Sequence, residues 1–158
     1  MTRVKAFGLG GVAAGLLVIG ALSVAQDRKP DAPASQAGDK HAAMFKDCAK
    51  ACDDCGRICD ECAAHCAKSL ADGNKHHLET LKTCQDCAAI CQAASAVVAK
   101  QGPFSDIVCT ACADACKRCG EACEKHGGGD PVMKACADEC KKCEKVCREM
   151  LKHTGPGK

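Results

Sequence analysis

Apolar positions in this chain follow two different rules. Residues 6–25 form one uncharged run rich in Leu, Val, Ala and Gly. From residue 41 onward, small apolar residues recur in alternating steps of four and three, with Lys, Asp and Glu between them. The recurring residue is cysteine. Cys48, Cys52, Cys55, Cys59, Cys62 and Cys66 open the series, and Cys84, Cys87 and Cys91 continue it. Cys109, Cys112, Cys116, Cys119 and Cys123 follow, then Cys136, Cys140, Cys143 and Cys147. Steps of four and three place every member on one helix face, the seam a helix turns toward its neighbours.

The pattern predicts four helices, over about residues 41–70, 75–100, 104–126 and 131–153, separated by glycine-rich or proline-containing breaks. Gly73 and Gly127-Gly128-Gly129 are expected helix terminators, Ser105 an expected cap, and Asp130-Pro131 an N-cap followed by a first-turn proline. Helices of this length joined by short turns predict an all-α fold, an antiparallel up-down four-helix bundle with a cysteine-lined core. The 3.5-residue period predicts shallow left-handed packing, and Ala and Cys at the seam allow close approach.

The first 40 residues obey neither period. Arg3 and Lys5 precede the uncharged run, and Ser23-Val24-Ala25 offers small residues for cleavage before Gln26, so residues 1–25 read as a Sec-type signal peptide. The run is long enough to anchor in a bilayer uncleaved. Its five glycines and the small-residue site favour removal, with no membrane association afterwards. There is no paired arginine for twin-arginine export and no cysteine at the cleavage site for lipidation. Residues 26–40 read as a polar disordered linker, residues 41–154 as the bundle and residues 155–158 as a tail. The expected location is periplasmic or extracellular.

Composition narrows the function. The 158 residues include 18 Cys, three Phe and no Trp or Tyr, so a core of large side chains is out of reach. The net charge of +2 comes from Arg3 and Lys5, and the remainder balances to zero. Without a basic patch or stacking aromatics, nucleic acid is excluded as a partner. No nucleophile–base pair or open catalytic site emerges, so an enzyme is not expected.

Several chemistries compete for the thiols. An even count in an exported chain fits a disulfide-stabilised structural protein. However, same-face helix neighbours stand about 5–6 Å apart at Cβ, against about 3.5–4.5 Å in a disulfide. Iron–sulfur ligation needs irregular backbone and a Cys-Pro terminus, both missing here. Zinc, in a metallothionein-like detoxification protein, could take two CxxC pairs from facing helices, although continuous stripes overshoot four ligands per ion. Cu(I) fits best. It is soft, accepts two or three thiolates, and one Cu(I) per thiolate leaves a neutral core. A CxxxC pair one turn apart is a ready two-sulfur site, and shared sulfurs give roughly nine to eighteen ions for eighteen thiols.

The stripes CAKACDDCGRICDECAAHC, VCTACADACKRCGEAC and KACADECKKCEKVC resemble the cysteine-rich four-helix-bundle copper storage proteins, over essentially all of residues 41–154. The resemblance implies many Cu(I) ions along the bundle interior, with all eighteen cysteines as ligands. It also implies a homo-oligomer, often a tetramer, and loading at one end near His and sometimes Met. His65 beside Cys66 resembles the family's His at that position. The Met residues that exported relatives place just beyond are replaced by Ser69, Asp72 and His77.

Antiparallel order gathers His65, His76, His77, His126 and Met133 at one end. His126 and Met133 lie three residues beyond the last and first cysteines of their helices, extending the register outward. His65, His77, His126 and Met133 are therefore the candidates for admitting copper. Phe45, Val97, Val98, Phe104, Ile107, Val108 and Leu151 gather at the other end as an apolar plug, with His41 and Met44 read as surface or packing residues there.

Overall fold

With thiols and alanines as the only regular apolar positions, each helix can bury its seam only against three others. The computed structural model describes residues 36–154, and there the chain forms α1 (Gln36–Ala71), α2 (His77–Val98), α3 (Ser105–Gly127) and α4 (Pro131–Leu151). α1 packs on α2 and α4, and α3 on α2 and α4, in the order of an up-down bundle. The expected signal peptide and tail, and most of the expected linker, lie outside the described residues. α1 begins at Gln36, before the first cysteine turn. Among the described residues no helix is long and apolar enough to cross a membrane.

Close approach is visible at two glycines in equivalent positions, each following a cysteine in a Cys-Gly-x-x-Cys segment. On Gly56 of α1, an added Cβ would stand 3.5 Å from Ala88 O and Cys91 Cβ of α2. On Gly120 of α3, it would stand 3.4 Å from Cys140 Cβ of α4. The two hairpins thus repeat one packing device. At the α3–α4 turn, Gly128 and Gly129 take φ of +48° and +94°, conformations that side chains disfavour. This reversal delivers Asp130 as the α4 N-cap, with its Oδ1 accepting from Val132 N at 2.8 Å and Met133 N at 3.1 Å.

Two local expectations are corrected. Ser105 does not cap α3. Phe104 occupies that position, and the Ser105 hydroxyl donates back to Gly102 O at 2.6 Å. Phe104 and Ile107 also stay outside the plug, at 63% and 62% exposure. The inward register of α3 runs through Ser105 and Cys109, so Ile107 points away from it. The plug is instead Phe45, Val98, Met150 and Ser105, all buried, with Met44, Val108 and Leu151 packed around them.

Charged side chains line the outside in pairs such as Lys50–Asp54 at 2.6 Å and Arg148–Asp114 at 3.2 Å. Exposed pairs of this kind add little stability, and the small-residue core carries the fold. The exterior is not uniformly charged. Residues 87–99 of α2 hold no charge, and that half of the helix exposes Ala89, Gln92, Ala93 and Ala96.

Candidate metal centre

All eighteen cysteines are free, buried and helical. Each helix holds them by the register alone, and the bundle brings the four stripes into one column. α1 and α3 run parallel across the diagonal, with Cys48–Cys109 at 3.8 Å, Cys55–Cys116 at 3.7 Å and Cys62–Cys123 at 4.0 Å. α2 meets α3 through Cys91–Cys112 and Cys84–Cys119, both at 3.5 Å. α4 meets α1 through Cys52–Cys147 at 3.6 Å and Cys59–Cys140 at 3.7 Å. Within helices, CxxxC pairs close to 4.0 Å at Cys55–Cys59 and 3.9 Å at Cys87–Cys91 and Cys112–Cys116. Such spacings are too long for S–S bonds and short enough for two sulfurs to share one soft ion.

Four-thiol groups recur along the column. Cys52, Cys112, Cys143 and Cys147 form one, and Cys55, Cys87, Cys91 and Cys116 another. Cys55, Cys59, Cys87 and Cys140 form a third, and Cys59, Cys119, Cys136 and Cys140 a fourth. Cys55, Cys59, Cys87 and Cys140 each belong to two groups. The groups therefore overlap, and the column reads as a continuous surface of bridging sulfur.

The thiols differ in how readily they give up protons. Cys116 keeps its proton well above the ordinary thiol range, with Cys112 its foremost influence. By donating, Cys116 is the foremost reason that Cys55 and Cys112 fall below that range. At Cys140 and Cys84, neighbouring thiols, Cys116 and Cys119 foremost, act with burial to raise deprotonation above the ordinary range. Cys66, nearest the His-bearing end, is pushed up to about 12, first by burial and then by Cys62 and Asp130. Thiolates at Cys55 and Cys112 are stabilised by a neighbour that retains its proton. Protons can therefore leave one at a time as soft cations arrive.

The helix ends meet as antiparallel order requires. His65 Nε2 lies 2.9 Å from Asp130 Oδ2, and His126 Nε2 lies 3.0 Å from Glu79 Oε2. His65 and His77 face edge to plane with ring centroids 6.3 Å apart, and His76 lies 4.3 Å from His77. His77 and Met133 are buried. His126 is half-buried and engaged by Glu79. Burial, followed by His76 and His65, lowers the His77 pKa and so disfavours its protonated form.

Sequence reasoning missed Asp130 as a neighbour of His65, having read it only as a cap. It also missed Thr80, which is fully buried in the α2 seam with its hydroxyl donating to Ala122 O at 3.5 Å. Thr80 was open to a register argument: His77, Thr80, Cys84, Cys87, Cys91, Ala94 and Val98 keep to one 3-4 alternation.

A protein-family profile described as copper storage protein matches residues 41–152. Among solved structures, the Cu(I)-bound copper storage protein BsCsp3 is 34% identical with a TM-score of 0.61, over 68% of this chain and 98% of that one. A cytosolic copper storage protein from Streptomyces lividans, described as loaded with five coppers, is 31% identical with a TM-score of 0.66, over 75% and 100% of the two chains. Ccsp from the same organism, loaded with 10 copper equivalents, is 31% identical with a TM-score of 0.62, over 70% and 85%. No curated protein sequence matches significantly.

Proposed function

The chain belongs to the copper storage protein family, and from that premise we propose that it is an exported, non-catalytic store holding many Cu(I) ions in its thiol column. The observation that carries this reading is the unbroken chain of buried free thiols 3.5–4.0 Å apart, from Cys52 and Cys147 to Cys62 and Cys123. The ligands are all eighteen: Cys48, Cys52, Cys55, Cys59, Cys62, Cys66, Cys84, Cys87, Cys91, Cys109, Cys112, Cys116, Cys119, Cys123, Cys136, Cys140, Cys143 and Cys147. Overlapping groups favour Cu(I), which tolerates bridging thiolates, over zinc, which takes four of its own.

Loading is an exchange. Each arriving Cu(I) displaces one thiol proton, so the charge of the buried column stays constant and no uncompensated ion is buried. Copper is admitted at the end bearing His65, His77, His126 and Met133, because the opposite end is closed by Phe45, Val98 and Met150. His65 and His77 offer imidazole nitrogens ahead of Cys66 and Cys84, and the buried Met133 thioether precedes Cys136. His126 gives a weaker contribution through its contact with Glu79.

Export rests on residues 1–25, with residues 26–35 as tether to α1, which begins at Gln36. A homo-oligomer rests on the family resemblance and on the exposed Phe104 and Ile107, next to the uncharged half of α2. Mass spectrometry of the secreted protein tests the cleavage after Ala25, and a chain that begins at Met1 contradicts it. Anaerobic Cu(I) titration against a competing chelator tests storage: saturation at one or two ions contradicts it.

A further inference from the structure

Each hairpin packs closely within itself at Gly56 or Gly120, whereas the seam between the hairpins leaves a groove of about 310 Å³ along α2 and α3. Cys87 lines it, with Asp86 and Ile90 of α2 and Ala111, Asp114 and Arg118 of α3. That volume lies at the lower end of small-molecule sites. Cys87 and Cys123 are each 1% exposed, while every other cysteine is at 0%. Both border a cavity. Cys87 is also shared by two four-thiol groups, one completed by Cys55, Cys91 and Cys116 and the other by Cys55, Cys59 and Cys140. A ligand in the groove therefore meets the thiol column away from both of its ends.

The charges around the two cavities differ. Beside Cys123, Lys134 pairs with Asp138 at 2.6 Å, Glu124 pairs with Lys141, and Asp130 faces His65. In the α2–α3 groove, Asp114 is taken by Arg148 at 3.2 Å and the Thr83 hydroxyl donates to Thr80 O at 3.1 Å. Asp86 and Arg118 have no hydrogen-bond or ion-pair partner among the described residues, and they do not pair with each other. An unpaired carboxylate and an unpaired guanidinium on one groove complement a ligand that carries both an ammonium and a carboxylate, the guanidinium fork matching the carboxylate. The neighbouring Cys87 adds the third requirement. A soft donor on that ligand can take Cu(I) from a thiolate.

We propose that the α2–α3 groove binds a small zwitterionic thiol, of the free-cysteine class, which withdraws Cu(I) from Cys87. Its carboxylate pairs with Arg118 and its ammonium with Asp86. The bond between copper and the Cys87 sulfur breaks as a bond to the incoming sulfur forms. The proton of the incoming thiol passes to Cys87, and copper stays monovalent throughout. Copper leaves as a complex of the ligand, so the groove serves release while the His-bearing end serves admission. The assignment rests on the storage reading for the copper that it moves.

The test uses the full chain loaded anaerobically with Cu(I), with its copper content counted first. Transfer to an excess of a chromophoric Cu(I) chelator is then timed near neutral pH, with and without L-cysteine. The expected rate rises with L-cysteine and saturates, and it falls about fivefold in Arg118→Gln and in Asp86→Asn. Thiols with one charge separate the two contacts. Cysteamine, which lacks the carboxylate, should be insensitive to Arg118→Gln, and mercaptopropionate, which lacks the ammonium, insensitive to Asp86→Asn. Arg57→Gln, an exposed change on α1, should alter none of these rates. A rate that L-cysteine leaves unchanged overturns the groove, as does equal acceleration in the unaltered chain and both groove variants. Low Cu(I) content overturns the storage reading instead. The metal-free chain is then titrated with S-methyl-L-cysteine while the Cys87 and Ala115 amide resonances are followed. Shifts that vanish in Arg118→Gln uphold the groove, and absent shifts overturn it.

Discussion

The two ends of the bundle are continuations of one seam and differ in the residues that lie beyond the outermost cysteine of each helix. At one end the register passes from Cys84 to Thr80 and His77, and from Cys136 to Met133, with His65 beside Cys66. At the other it passes from Cys48 to Phe45, from Cys91 to Ala94 and Val98, from Cys109 to Ser105, and from Cys147 to Met150. One end offers nitrogen, oxygen and thioether donors. The other offers hydrocarbon, plus a serine and a methionine sealed among it. A single turn of helix at each end thus distinguishes a donor-bearing end from an apolar one, while the column itself stays the same.

If that contrast holds, damage at the two ends should be of different kinds. The largest effect belongs to the closed end. Phe45→Ala removes a buried ring from a core otherwise made of small side chains and should cost about 3–5 kcal/mol, read as a lower denaturation midpoint of the metal-free protein. Initial loading should be unaffected unless the loss opens that end, which faster loading would reveal. Next, His65→Ala with His77→Ala should slow Cu(I) loading roughly tenfold in stopped-flow traces and leave final capacity within one ion. A large loss of capacity would place these residues in storage rather than admission.

Alkaline titration gives a third contrast. Cys66 loses its proton near pH 12 in the folded chain, against 9.0 for an ordinary thiol. Between those values the unfolded chain has released a proton that the folded chain retains, so stability falls as pH rises through this window. Thermal melts of the metal-free protein should therefore decline from about pH 9 upward. The Cu(I)-loaded protein, whose sulfurs are already thiolates, should show no such decline. The smallest effect is Asp130→Ala, which removes the α4 cap and should cost about 1 kcal/mol. Asp130→Asn should cost less, because asparagine caps equally well.

Much of this was legible in the sequence, for one physical reason. A helix seam leaves its period in the chain, and here the period was written in a single residue type, so four helices, their antiparallel order and the gathering of histidines came from spacing alone. Misreadings fell where spacing is silent. Phe104 and Ile107 are apolar and near the closed end, but they lie off the Ser105–Cys109 register and stay in solvent. Spacing was equally silent on Glu79, which meets His126 from another helix. Asp130 was read from its neighbour Pro131 as a cap. Its second oxygen meets His65 only because Gly128 and Gly129 fold the chain back. Contacts between helices at their ends depend on turn geometry, which no periodicity encodes.

The central claim is that the thiol column stores Cu(I) in number. It is tested most directly by counting thiols and copper in the same anaerobic sample of reduced protein. The account predicts 18 titratable thiols, which disappear in step with the binding of roughly nine to eighteen Cu(I) per chain. Saturation at one or two ions with most thiols still free would contradict it, as would only a few free thiols in freshly isolated protein.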